Sequence, residues 1–272
     1  MEVTDSFMPT AGVVGLLPMV TYFFLVVAMF AFIGNFVLSL AIQPSIRPEF
    51  RIVHSVTAVV AVVSAVSCYL TQTYYHDMLR ELATVTDAND RQTLIRESYN
   101  AIGQFRYMDW FITSPLLLLQ IIFGLNFQRN AVKRPLIYLL TATLLLYFAS
   151  YIGHQQLSFD NEIQVGMKVI WGLVATIAYG FSLFTLRRLE QQFGEQTTLT
   201  QQRAYRQMAY RQMMVIIATC WGIYLLGYFL TVTPIDFSWI HIAFTITDLT
   251  AKISIGLIVY FTSTKSVENA DS

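Results

Sequence analysis

Seven apolar stretches, each long enough to cross a bilayer as a helix, take up most of the chain and leave little else to fold with. They run roughly Leu16 to Ile42, Val53 to Tyr75, Ile102 to Leu125, Leu136 to Gly153, Gln164 to Leu186, Met213 to Val232 and Trp239 to Thr262. Charged residues are only 12% of the chain against 55% apolar, whereas soluble domains carry about 25% charged residues. The expected fold is an all-α integral membrane protein. It is a single seven-helix domain over residues 1–272, with 1–15 as an outer tail and 264–272 as a cytoplasmic tail. No basic n-region and cleavage site precede the first stretch, so it reads as a retained span.

Other classes drop out quickly. Lysine plus arginine equals aspartate plus glutamate at 17 each, which gives no argument for nucleic acid as a partner. Cys68 and Cys220 both lie inside apolar stretches and read as small buried hydrophobes, with neither a disulfide nor a metal site.

The polar connections set the expected orientation. One set of loops holds Arg47, Arg51, Arg129, Lys133, Arg134, Arg187, Arg188, Arg203, Arg206, Arg211 and Lys265. The opposite set holds Arg80, Arg91 and Arg96 with the acids Asp77, Asp87, Asp90, Asp160 and Asp236. Basic residues stay in the cytoplasm, so the amino terminus is expected outside and the carboxy terminus inside. Two connections are long. His76 to Asn100 reads as an amphipathic element or a small hairpin. Arg187 to Gln212 contains a duplication, Ala204-Tyr-Arg-Gln-Met then Ala209-Tyr-Arg-Gln-Met, expected as a helical, solvent-facing lead-in to the sixth span.

Two spans break the apolar rule. The seventh carries Asp248 and Lys252, four residues apart and so on one helical face. An ionised group in mid-membrane costs several kcal/mol, so such residues are rare and functional. The pair is either a neutralising ion pair or a reactive amine with its counterion, since a desolvated lysine forms Schiff bases with carbonyl compounds. The third span reads Arg106-Tyr-Met-Asp109-Trp110-Phe-Ile-Thr113-Ser-Pro115-Leu-Leu-Leu-Leu-Gln120. Arg106, Asp109, Thr113 and Gln120 fall on one face over about 20 Å, a polar line through a span. Two acids and two bases can offset each other inside a bundle.

Arg-Tyr-x-Asp-Trp-x-x-Thr-x-Pro-Leu-Leu-Leu, with Asp-x-x-x-Lys in the last span, resembles the microbial rhodopsins over essentially all seven spans. That resemblance implies all-trans retinal bound to Lys252 as a protonated Schiff base, in a light-driven ion transporter or photoreceptor and not an enzyme. It makes Asp109 the primary counterion and proton acceptor, Asp248 the second counterion and Arg106 the outward gate. Trp110, Thr113 and Leu117 would flank the chromophore from the third span. Trp221, Tyr224 and Tyr228 would wall it from the sixth, where Leu225 replaces the family proline and puts the usual kink in doubt. Tyr69 would hydrogen-bond Asp248. Cys68, where relatives carry a histidine, suggests that Asp109 titrates without that partner. Ser150, Gly153, Ala175, Thr176 and Tyr179 are further pocket candidates. Gly172 sits where a glycine opens a window to an antenna carotenoid in xanthorhodopsin-like proteins. Glycine is also ordinary packing material in membrane helices.

The resemblance departs at one consequential place. Outward pumps keep a carboxylic donor where this chain has Gln120, and an amide cannot donate a proton at neutral pH. The first reading is an outward proton pump reprotonated slowly from cytoplasmic water. The alternative is a photosensor signalling through a transducer. Sodium or chloride pumping ranks below both because Asp109 is retained. His54, His76, His154 and His241 all read as interfacial residues, with His241 alone a candidate for proton release. Homo-oligomers are common in the family.

Overall fold

The computed structural model describes residues 9–46, 48–124, 129–158, 162–195 and 201–268. Seven helices in it are long and apolar enough to span a membrane. They are α1 (Leu16–Ile42), α2 (Pro48–Leu82), α3 (Ala88–Gly124), α4 (Arg129–His154), α5 (Val165–Glu195), α6 (Gln201–Leu230) and α7 (Phe237–Glu268). One further helical turn, Ala11–Val14, precedes α1 and joins it through Gly15 at φ 95°, a conformation that favours glycine. Arg47 and Asp160, used above to infer orientation, lie outside the described residues.

Each helix packs on its neighbours in sequence, α1 closes the ring against α7, and α3 meets α7 across the middle. The central contact matters most, because it faces the polar line of α3 onto the Asp248–Lys252 pair of α7. The main core joins α3, α4, α6 and α7 through Trp110, Leu117, Tyr147, Trp221, Tyr224 and Phe244. Large apolar side chains such as Phe23, Phe30, Leu173, Ile177 and Phe184 point outward, as a lipid-facing surface requires.

The stretch from His76 to Asn100 is not a loop or a hairpin of strands. α2 runs 35 residues to Leu82 and α3 begins at Ala88 and runs 37, so both helices outlast the apolar core of a bilayer. Asp87 caps α3, its Oδ1 accepting from the backbone of Asn89 at 2.8 Å and Asp90 at 3.1 Å. Arg91 closes α2 by donating to the carbonyls of Leu82 (2.9 Å) and Val85 (3.0 Å). Polarity marks where the chain leaves the membrane, whereas these caps mark where the helices end.

The duplicated segment is helical as expected but only partly solvent-facing. In its second copy Ala209, Tyr210 and Met213 are buried, and the Tyr210 hydroxyl donates to the Leu186 carbonyl of α5 at 2.7 Å. Positions i, i+1 and i+4 share a helical face, and here that face packs on α5. α6 also runs unbroken through Leu225, so the replaced proline leaves a continuous helix.

Candidate functional site

Lys252 lies midway along α7 with its side chain 2% exposed. Its amine donates to Asp109 Oδ2 at 2.5 Å and to the Ser64 hydroxyl at 2.8 Å, and stands 3.4 Å from Asp248 Oδ1. Ser64 in turn donates to the other oxygen of Asp109 at 3.1 Å. Three helices thus converge on one nitrogen. Taking these charges out of water is expensive, and only close pairing with hydrogen bonds to the remaining oxygens makes it tolerable.

Asp248 is held by a separate set of donors. Trp110 Nε1 and the Tyr224 hydroxyl both reach Oδ1, at 2.8 and 2.7 Å. Arg106 reaches Oδ2 at 3.3 Å. The guanidinium also donates to the Thr245 hydroxyl at 2.8 Å and the His241 carbonyl at 3.3 Å. Two buried carboxylates and two buried cations therefore form one compact, charge-balanced cluster. Thr113 turns its hydroxyl back to the Asp109 carbonyl at 2.9 Å.

An aromatic chamber adjoins the cluster. Trp110 stacks on Tyr224 with ring centroids 4.3 Å apart, and Phe244 meets both edge-on. A void lies among Tyr107, Trp110, Leu146, Tyr147, Ser150, Trp221, Tyr224 and Leu225. The Tyr147 hydroxyl is buried there, with Ser114 its neighbouring side chain. The void itself is small, but its aromatic walls Trp110 and Tyr224 also hold Asp248, the carboxylate beside the Lys252 amine, so the residues present have the chemistry to hold a conjugated aldehyde such as retinal. Leu117 is fully buried in the core beside the chamber. Tyr228 lies farther out, its hydroxyl donating to the Lys168 carbonyl at 2.6 Å.

Several expectations need correction. Tyr69 is 54% exposed and does not reach Asp248. On α2 the inward positions are Ser64 and, four residues later, Cys68, which packs with Ala65, Phe32, Leu249 and Ile253. Tyr69 lies one step, about 100° of helix, farther round. Thr176 faces outward and bonds only its own helix, its hydroxyl donating to the Gly172 carbonyl at 2.7 Å. Ala175, one step away, is the buried neighbour. Tyr179 donates to the Ala218 carbonyl at 2.6 Å. At Gly172 a Cβ would stand 2.6 Å from the rings of Phe229 and Tyr228, so those rings occupy the space over this glycine. Gly153 likewise leaves room for Tyr228 and Trp171. His54, His154 and His241 lie near helix ends as expected, and all three are buried within the bundle, at 1%, 3% and 3% exposure.

Ser64 and Thr245 were missed. Ser64 had a readable signal: Thr57, Ser64 and Thr71 recur every seven residues and all three are buried, a polar stripe along α2. Gln120 lies inside the bundle at 1% exposure. Its Nε2 donates to Thr57 Oγ1 at 2.5 Å, while Oε1 is buried without a partner among the described residues.

Fold and cluster together define a seven-helix membrane protein built around one buried amine and two carboxylates. The chain belongs to the bacteriorhodopsin-like protein family, whose model matches residues 18–266. Over 171 residues it is 28% identical to the green-light absorbing proteorhodopsin of the gamma-proteobacterium EBAC31A08, a match covering 61% of this chain and 63% of that protein. Among solved structures, the rhodopsin of Exiguobacterium sibiricum superposes with a TM-score of 0.73 at 21% identity, covering 93% of this chain and 99% of that one. Xanthorhodopsin, described as a light-driven ion pump with dual chromophore, gives 0.72 at 18% identity over 94% and 96%. At such identities the structural likeness speaks for the fold alone. Family membership implies retinal carried on a lysine in a multi-pass membrane protein.

Proposed function

We propose that this protein is a light-driven outward proton pump in which Asp109 accepts the proton held at the Lys252 nitrogen. The observation that carries the reading is the direct contact of Lys252 Nζ with Asp109 Oδ2 at 2.5 Å. Its amino terminus lies outside the cell, and protons leave on the side of Arg106.

Retinal on Lys252 would supply a light-driven change in the position and proton affinity of that nitrogen. The chain's own residues do the rest. Asp109 takes the proton because it is the carboxylate in shortest contact, and Ser64 keeps its second oxygen solvated in the absence of water. Asp248, held by the donors of Trp110, Tyr224 and Arg106, stands as the second counterion next to the site. Trp110, Trp221, Tyr224 and Ser150, which line one void, would hold the chromophore and keep water from it. Arg106, anchored to Thr245 and to the His241 carbonyl, closes the outward side. Gln120 and Thr57 close the inner side, and neither can yield a proton at neutral pH. Return of the proton to Lys252 is therefore the slow step. A carotenoid antenna beside Gly172 would require Phe229 to turn away from the glycine.

The test is the pH of an unbuffered suspension of retinal-supplied cells expressing the chain, under green light, with and without a protonophore. Acidification abolished by the protonophore is expected. Coloured, photocycling cells that leave the pH unchanged would replace the pump with a photosensor that needs a transducer partner. Alkalinisation enhanced by the protonophore would indicate transport of another ion.

A further inference from the structure

A pump without a carboxylic donor still has to bring protons about 15 Å through the inner half of the bundle, the rise from Ser64 back to residue 54 on α2. The buried carboxylates among the described residues are Asp109 and Asp248, both at the level of Lys252. Among the described residues, the inner half holds one buried imidazole, a side chain able to take up a proton on one nitrogen and release one from the other. That residue is His54.

His54 is 1% exposed. Its Nε2 lies 3.3 Å from the Ser263 hydroxyl on α7, and its ring meets Tyr260 edge-on with centroids 6.0 Å apart. Ser263 gives its only proton to the Tyr260 carbonyl at 2.7 Å. Its oxygen is therefore free to accept from His54, which places the hydrogen of the neutral ring on Nε2 and leaves Nδ1 as a base. From α7, Tyr260 and Ser263 face the ring. On its own helix, Arg51 directs Nε to the Ile46 carbonyl at 3.2 Å. Thr57, three residues on and so on the same face, receives the Gln120 amide. Gln120 Oε1 is buried without a donor among the described residues, an acceptor that a bridging water would satisfy.

We propose that His54 is the proton-uptake relay of this protein, standing in function where relatives use a carboxylic acid. The inference rests on the outward-pump reading. Nδ1 takes a proton from inner water, giving a short-lived imidazolium. Nε2 then gives its proton to the Ser263 oxygen it faces, Ser263 releases one in turn, water carries it past the Thr57–Gln120 pair to the Lys252 nitrogen, and a turn of the ring restores the starting tautomer. One proton enters the ring and one leaves, and no electron moves. Both nitrogens of imidazole are needed, which is why histidine suits a relay where Gln120 does not.

Two measurements test it. In the dark, histidine-labelled nitrogen NMR of the wild-type protein, assigned with His54→Gln, is expected to show a neutral Nε2–H ring whose proton exchanges with deuterated buffer. A ring sealed against exchange overturns the relay. Under flashes, His54→Gln is expected to slow reprotonation at least tenfold at neutral pH. The rate should then track bulk proton concentration and recover on adding azide, a small diffusible weak acid. An unchanged rate in a variant that still takes up retinal overturns the inference while wild-type acidification leaves the pump reading standing. Absence of wild-type acidification overturns both. Should His54→Gln fail to colour, Ser263→Ala keeps the imidazole and removes its partner; a several-fold slower uptake is expected, and an unaltered one overturns the role.

Discussion

Trp110 donates its indole N–H to Asp248 at 2.8 Å, while the residue before it, Asp109, holds the amine of Lys252. Adjacent residues of one helix thus govern the two carboxylates separately. Asp109 takes donors from Lys252 and Ser64, whereas Asp248 is pinned by Trp110, Tyr224 and Arg106.

Lys252→Ala removes the sole amine at the centre of the cluster. No visible absorption should develop on adding retinal. The loss also leaves Asp109 and Asp248 facing each other without their cation, and breaking a buried pair costs about 3–5 kcal/mol. A fall in melting temperature, read without retinal by circular dichroism, checks this second effect.

Asp109→Asn keeps the shape of the acceptor and removes its charge. The absorption maximum should move to longer wavelength and light-driven acidification should cease. An unchanged spectrum would exclude Asp109 as the counterion.

Tyr224→Phe and Tyr69→Phe separate the observed partner of Asp248 from the expected one. Tyr224 donates to Asp248 at 2.7 Å, and a hydrogen bond to a charged group contributes about 1.5–3 kcal/mol. Its loss should shift the spectrum and speed thermal bleaching. Tyr69 is exposed, so its variant should match the wild type in both measurements.

Gln120→Glu places a carboxyl group against Thr57, on the inner side of the amine. The final phase of the photocycle, followed by flash absorption, should become several-fold faster. If its rate stays the same, the missing donor does not limit turnover.

Much of this site was legible in one dimension because charge in a membrane span is costly and thus conspicuous. Arg106, Asp109, Asp248 and Lys252 announced themselves in that way, and the four-residue spacing of the last two gave their common face. Ser64 showed only as part of the seven-residue stripe with Thr57 and Thr71, since a serine in an apolar helix hardly disturbs hydropathy and its meaning depends on two partners far away in sequence. Tyr69 shows the opposite failure. A motif match assigned it inward, but two adjacent helical positions differ by about 100°, and only packing selects which one faces the core. The lengths of α2 and α3 were hidden for a third reason. Polar residues such as Asp77, Arg80 and Arg96 report departure from lipid and say nothing about departure from helix.

The overlong α2 and α3 have a practical consequence. They carry their capped turn at 83–87 clear of the hydrocarbon layer on a rigid stalk. A cleavage sequence or fluorophore grafted at that tip is displaced from the chromophore by several helical turns. It therefore offers a topological reporter, accessible to an impermeant reagent from one face of a sealed vesicle and silent from the other.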